Sequence, residues 1–335
     1  MTTLAGPAPP PEPPAPSREP RPRPLTERLG RADRVFHRVA AGAGAALFLL
    51  LVLIGFFLLL RSAPALRTAG FGFFTTIEWR TDVDPPVFGV LGMLSGTVIV
   101  ALIACLVAIP VSLLAALFIT EYASARLRDT LTGVVDLLAA IPSLLYGLWG
   151  MAYLNDRIVP LSRWLADNLG WIPIFSTRAE AELTGSMFIA GLIVSLMVMP
   201  ITTSIMREVF AQTPPGEKEA ALALGGTRWG MIRNVVLPFG RGGLVGGSML
   251  GLGRALGETI AVKLMLPQVP ILSGHVLENG GATISGFIAH NAGANEKITG
   301  ALLAFGLVLF AFTIAVNLVA SWIIARSRSG SGVDA

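Results

Sequence analysis

Apolar positions in this chain run together instead of alternating. Six uninterrupted stretches stand out, at about residues 39–60, 87–119, 131–154, 184–206, 240–266 and 298–324. Each is long enough to cover the roughly 30 Å of hydrocarbon in a bilayer, which predicts six membrane-crossing helices. The second run exceeds what a perpendicular span needs, so it predicts a kink at Pro110 or a tilted helix. Ala-Pro-Ala at 63–65 resembles a processing site, but the run before it is longer than a signal core and reads as a retained helix. Residues 1–35 have no such run. Their Pro-, Ala- and Arg-rich composition (APPPEPPAPSREPRPRPL) buries no core and predicts a disordered tail. The membrane domain then occupies 36–328, and 329–335 form a short second tail.

Composition agrees with this pattern. Of 335 residues, 53% are hydrophobic and 14% charged, against roughly 25% charged in a soluble domain. The net charge of +4 gathers at the ends of the apolar runs, so it reports membrane topology and gives no reason to expect nucleic acid. With the N-terminus inside, the inner segments carry seven, two, five and two Lys or Arg, and the outer segments three, three and one. That bias places both termini in the cytoplasm. Cys105 stands alone inside an apolar run and excludes an intrachain disulfide. His37, His275 and His290 have no ligand spacing, so no metal is expected. Nucleotide-binding G-x-x-x-x-G-K-[ST], G-x-S-x-G and H-E-x-x-H motifs are all absent from the sequence. GLGRALG has the wrong spacing for a dinucleotide fingerprint and lies inside a span.

Between the fourth and fifth runs lies a loop at about 207–239, on the inner side. TPPGEKE supplies a helix start, with Thr213 as cap and Pro215 in the first turn, and 217–224 have helix-forming composition. Gly225 and Gly226 then end the helix, and a second short segment returns to the bilayer at Pro238. This loop resembles the signature loop of ABC importer permeases. Glu219, Ala220, Ala221, Gly225, Leu237 and Pro238 match its pattern, with Val235 where isoleucine is usual. The resemblance implies that these residues form a cytoplasmic coupling helix docking on a separate ATPase subunit, which binds ATP and Mg²⁺.

The fifth run carries charge: GSMLGLGRALGETIAVKLML, residues 247–266. Gly243, Gly247 and Gly251 recur every four residues, and Gly253 and Gly257 repeat the spacing, which predicts close helix packing in lipid. A central arginine costs roughly 2.5–3.5 kcal/mol on insertion scales, so Arg254 should face protein or a water-filled path. Glu258, four residues on, shares its face in a continuous helix and is positioned to pair with it. Lys263 lies half a turn away near the outer end and reaches the interface. Asp136, Ser143, Ser195, Thr202, Thr203 and Ser204 are further intramembrane polar groups. Asp136 is placed to meet basic residues near the inner surface.

GLGRALGETIAV, together with AAIPSLLYGLWG (139–150) and MVMPITTSIMREVF (197–210), resembles the phosphate importer permeases of the PstC type across most of 85–325. That resemblance implies an all-α integral membrane protein with six transmembrane helices and a cytoplasmic coupling helix. It implies a plasma-membrane translocation subunit, without an ATPase motif of its own, for inorganic phosphate. Its partners would be a sister permease, two ATPase copies and an extracytoplasmic phosphate-binding protein. Arg254 and Glu258 would line the path, since a guanidinium fork suits an oxyanion. A permease for molybdate or sulfate is the nearest alternative, and an ion-coupled secondary transporter the next.

Overall fold

The computed structural model describes residues 30–328 apart from 81, 82, 84, 85, 273, 294 and 295; side chains of 296, 297 and 323–328 are not described. The tail expected over 1–35 falls outside these residues up to 29, as does the tail at 329–335. Residues 31–35 are already helical. Two compact units divide the chain after Val52, and everything below belongs to the second unit except the opening turns of α1.

Helix α1 (Arg31–Ala69) carries the first apolar run and continues past it. After a short helix α2 (Gly72–Thr75), strands β1 (Trp79–Arg80) and β2 (Val87–Phe88) pair antiparallel. Helix α3 (Leu91–Leu117) contains Pro110 and ends in a π turn, Phe118–Tyr122. Helices α4 (Ala125–Ala140) and α5 (Ser143–Trp149) follow, and a second π turn leads into α6 (Asn155–Leu169). Helix α7 (Met187–Ala211) is continuous through Pro200. The loop region holds α8 (Pro215–Ala223), α9 (Arg228–Met231), a third π turn and α10 (Leu237–Phe239). Helices α11 (Arg241–Leu256), α12 (Ile260–Met265), α13 (Ile284–His290) and α14 (Glu296–Arg328) complete the order.

Four helices cross a membrane by length and apolarity as continuous rods: Arg31–Ala69, Leu91–Tyr122, Met187–Ala211 and Ile298–Trp322. The third predicted span is bent within its length, and the fifth is bent where it begins, at Gly240. Helix α4 meets the Ser143–Leu169 arm at 87°, and Arg228–Phe239 meets α11 at 68°. The first bend has a local cause. Pro142 forces Ile141 out of the helical region, to φ −65° and ψ 127°.

The heart of the bundle is α3 against α7, with α11 laid on both. Ser112 of α3 donates to the Met199 carbonyl of α7 at 3.0 Å. At Gly191 a Cβ would sit 2.6 Å from Ile103, so the backbones approach as closely as glycine allows. The predicted glycine stripe of α11 faces α7. A Cβ at Gly243 would strike Val209, one at Gly247 would touch Ile205 and Met206, and one at Gly251 would lie 2.8 Å from Thr202 Oγ1. The second pair behaves differently: nothing lies within 4 Å of a Cβ at Gly253, and only its own helix's carbonyls approach one at Gly257.

A separate aromatic cluster closes the end of the molecule where β1 and β2 lie. Phe73 stacks on Phe305 with centroids 5.6 Å apart, and Trp79 meets Phe287 edge-on at 5.0 Å. Here α1 and α14 also touch, with Ala65 against Gly300 and Leu58 against Gly306.

Candidate functional site: a broken helix and a projecting loop

Arg254 lies in the last turn of α11, where a cation complements the partial negative charge of the helix end. The helix stops immediately after it. The Gly257 amide still reaches Gly253 O at 3.2 Å, but Glu258 and Thr259 form a break before α12 begins. Continuous helix over 240–266 is therefore corrected, and so is the face-sharing of Arg254 and Glu258. Among the described residues no ion pair joins these two side chains. Glu258 instead turns back onto α12: its Oε1 accepts from the Ala261 amide at 3.2 Å, and only 7% of the residue is exposed. A carboxylate satisfying amides at a helix start is stabilised by hydrogen bonding and by the helix dipole.

The break is held from outside as well. Ser285 of α13 donates to the Glu258 carbonyl at 2.6 Å, and Thr259 donates to Gly257 O at 3.0 Å. Helix α5 packs on α12, where a Cβ at Gly147 would lie 2.8 Å from the Ala261 backbone. The two interrupted spans thus pack on each other through Gly147 and Ala261. Tyr146 of α5, whose hydroxyl donates to Leu138 O at 3.0 Å, stands within electrostatic reach of the Arg254 guanidinium. Arg254 Nε is buried and has no hydrogen-bond partner among the described residues. A buried donor without an acceptor is costly. Gly253, one residue before it, has nothing within 4 Å of where a Cβ would stand.

Lys263 has a specific task that the sequence did not reveal. It donates to the Ala289 carbonyl at 2.8 Å, which ties α12 to the last turn of α13. Gln268 was also missed. It is buried at a φ of 57°, with Nε2 donating to Val262 O at 3.2 Å, so it finishes α12. Among the other polar positions, Ser195 bonds its own helix at Leu192 O. Ser204 donates to Asp136, which lies 3.6 Å from Arg207 as the sequence suggested.

The second site is the loop. Helix α8 begins at Pro215, the residue expected in its first turn, but Pro214, not Thr213, precedes it; Thr213 is buried with its hydroxyl unpartnered. The stop works as read. Gly225 takes φ +83°, its amide donates to Leu222 O at 3.0 Å, and Gly226 donates to Ala221 O at 3.2 Å. This double closure is the left-handed helix ending that glycine permits. Thr227 then caps α9 by accepting from the Gly230 amide at 3.1 Å. Glu219, Ala220, Gly225 and Pro238 are exposed, Ala221 and Leu237 half-buried. Leu224 is 89% exposed, with Leu222 and Trp229 also largely open. The loop thus presents a short helix with small residues and uncovered apolar side chains.

A helical membrane domain with a charged residue at a helix break and such a loop defines a transport permease. The chain belongs to the family of binding-protein-dependent transport system inner membrane components, whose model matches residues 108–329. It is therefore a multi-pass membrane protein. It is 42% identical over 305 residues to the phosphate transport system permease protein PstC 2 of Mycobacterium tuberculosis, covering 90% of this chain and 94% of that one. The PstC of Xylella fastidiosa is 39% identical over 311 residues, covering 91% and 94%. The fold is shared with a bacterial ABC transporter involved in the import of the acidic polysaccharide alginate, at TM-score 0.54 and 18% identity over 88% of this chain and 99% of that chain.

Proposed function

We propose that this chain is the translocation subunit of an ATP-driven importer of inorganic phosphate, moving the ion by alternating access. The observation that carries the reading is Arg254: a guanidinium at a helix break, with Nε buried and lacking an acceptor. Phosphate offers several acceptor oxygens to a planar fork of donors. One arginine gives a site that binds and still releases, as transport demands. The relatives named for phosphate transport support this ion over molybdate or sulfate. Membership of the importer family speaks against an ion-coupled secondary transporter.

The chain performs no covalent chemistry in this reading. ATP and Mg²⁺ belong to two copies of an ATPase that dock on Glu219, Ala220, Ala221, Gly225, Leu237 and Pro238. A sister permease completes the path, and an extracytoplasmic phosphate-binding protein delivers the ion. The α8 end faces the cytoplasm, with both termini on that side. When the ATPase closes, α8 moves and the bundle opens outward.

Glu258 enters in a modified role. It shapes the break by capping α12, and one of its oxygens is left to accept from a protonated phosphate oxygen, which sulfate at neutral pH lacks. The assembled complex in proteoliposomes tests both residues. Arg254→Gln should reduce phosphate uptake to background while the ATPase still co-purifies; retained uptake rejects the path. Glu258→Gln keeps an acceptor for the Ala261 amide. It should narrow the preference for phosphate over sulfate, and unchanged selectivity removes Glu258 from recognition while leaving Arg254 in place.

A further inference from the structure

The loop between α7 and α11 is anchored to a helix that is not its neighbour in sequence. Lys218 Nζ on α8 lies 2.6 Å from Glu121 Oε1, 97 residues away. The Glu121 side chain is only 5% exposed and that of Lys218 21%, so this pair is largely withdrawn from water. A second contact reaches the same place: the Arg228 guanidinium of α9 stands 5.5 Å from the Tyr122 ring centroid. Both arms of the loop therefore grip two adjacent residues at the end of α3.

That end is built to be gripped. The π turn Phe118–Tyr122 widens the helix, and Ala123 closes it by donating to Phe118 O at 2.9 Å. Such turns leave carbonyls short of partners and concentrate at functional sites. Arg128 of α4 supplies the missing donors, with Nε to Ile119 O at 3.1 Å and Nη2 to Thr120 O at 2.8 Å. The turn, the start of α4 and the loop form one hydrogen-bonded junction.

At its other end α3 reaches the broken span. Thr97 Oγ1 accepts from the Ile284 amide, the first residue of α13, at 2.9 Å. The next residue, Ser285, donates to the Glu258 carbonyl at the break. From Thr97 to Glu121 is about 36 Å at the helical rise of 1.5 Å per residue. Helix α3 is thus bonded to α8 at one end and, through α13, to the Arg254–Glu258 break at the other.

We propose that α3 is the rod that carries the stroke of the ATPase from α8 to the ion site, with Lys218 and Glu121 as its fixing point. The proposal rests on the reading of α8 as the docking helix. Lys218 and Glu121 touch neither ion nor nucleotide and act as positioning residues. Helices α7 and α11 are joined to the loop covalently; α3 meets it through the ion pair, the Arg228–Tyr122 contact and a buried apolar cluster in which Ala116 and Leu117 pack with Met231, Ile232 and Val236. A rod of this kind needs two properties: the pair must exist, and it must stay closed through the cycle.

The test uses the full complex in proteoliposomes, reading phosphate uptake per ATP hydrolysed. Glu121→Gln and Lys218→Met remove the charges and keep the bulk. Each should lower uptake per ATP about tenfold, inside the roughly 5–150-fold range of ordinary site-to-site coupling, while basal hydrolysis and ATPase co-purification hold. In a Cys105→Ala background, Glu121→Cys with Lys218→Cys should be equally uncoupled, and a short bifunctional thiol reagent joining the two positions should restore uptake per ATP. Single variants that couple normally overturn the proposal. So does a cross-link that blocks transport, because the two ends then separate during the cycle. Gly225→Val serves as the reference. If it too leaves coupling intact, the docking reading fails; if it uncouples while the Lys218 and Glu121 variants do not, only the rod fails.

Discussion

Gly251 and Gly253 sit two residues apart on α11 and have opposite surroundings. A side chain at Gly251 meets Thr202 Oγ1 and Val198 within 3 Å, whereas one at Gly253 starts with nothing within 4 Å of its Cβ. Overpacking a fitted contact costs typically about 1–3 kcal/mol. Gly251→Val should therefore lower the thermal unfolding temperature of the detergent-solubilised protein, and Gly253→Val should leave it unchanged. On the reading of Arg254 as the ion site, Gly253→Val should instead reduce uptake. Equal melting losses in both variants would contradict the packing. The glycine stripe was legible because its four-residue period needs only one helix face and one close neighbour. The partner of Glu258 was not. An i, i+4 rule assumes unbroken helix, and Gly257 followed by two side chains able to cap is a stop signal that the surrounding apolar run concealed. Lys263 and Lys218 were opaque for another reason: their acceptors come from residues 26 and 97 positions away.

At the level of elements, helix α8 and its glycine stop were the most readable part of the chain. Its stop depends on one backbone angle, and Gly225 at φ +83° with nothing within 4 Å of a Cβ separates backbone strain from crowding. A non-glycine residue in the left-handed region costs roughly 1–2 kcal/mol, and a β-branched one is worse placed than most. Gly225→Val should therefore leave insertion and expression intact but displace Leu224 and Gly226, uncoupling ATP hydrolysis from uptake. Gly225→Asn, which tolerates this conformation, should retain most of the coupling. If valine and asparagine behave alike, the left-handed turn is not what the loop contributes. The bends at Ile141–Pro142 and after α10 were harder to foresee, because apolar composition continues on both sides of each. Pro142 did carry the first signal. What it leaves open is whether a break reverses the chain or merely tilts it, and the contacts of other helices decide that.

For the whole molecule, four continuous helices and two bent pairs leave the number of crossings to be argued from which ends meet. Glu121 at the end of α3 bonds Lys218 just beyond the end of α7, so α3 and α7 run toward the same end. The chain between them must return to the other end, which makes α4 with α5 and α6 a net crossing despite its 87° bend. The same reasoning applies to the fifth span. It leaves α10 near the loop and arrives at Ile284, bonded to Thr97 in the opening turns of α3, so α11 and α12 also cross. On this argument residue 224 and residue 171 lie on opposite sides of the membrane. Leu224 and Trp171 are both strongly exposed, and the native Cys105 is buried. A membrane-impermeant thiol reagent applied to intact cells should therefore label Trp171→Cys and spare Leu224→Cys, and inverted vesicles should reverse the pattern. Labelling of both from one side would mean that α7 does not cross. The reversed pattern would keep the bundle but place the loop outside, and no ATPase in the cytoplasm would then reach α8.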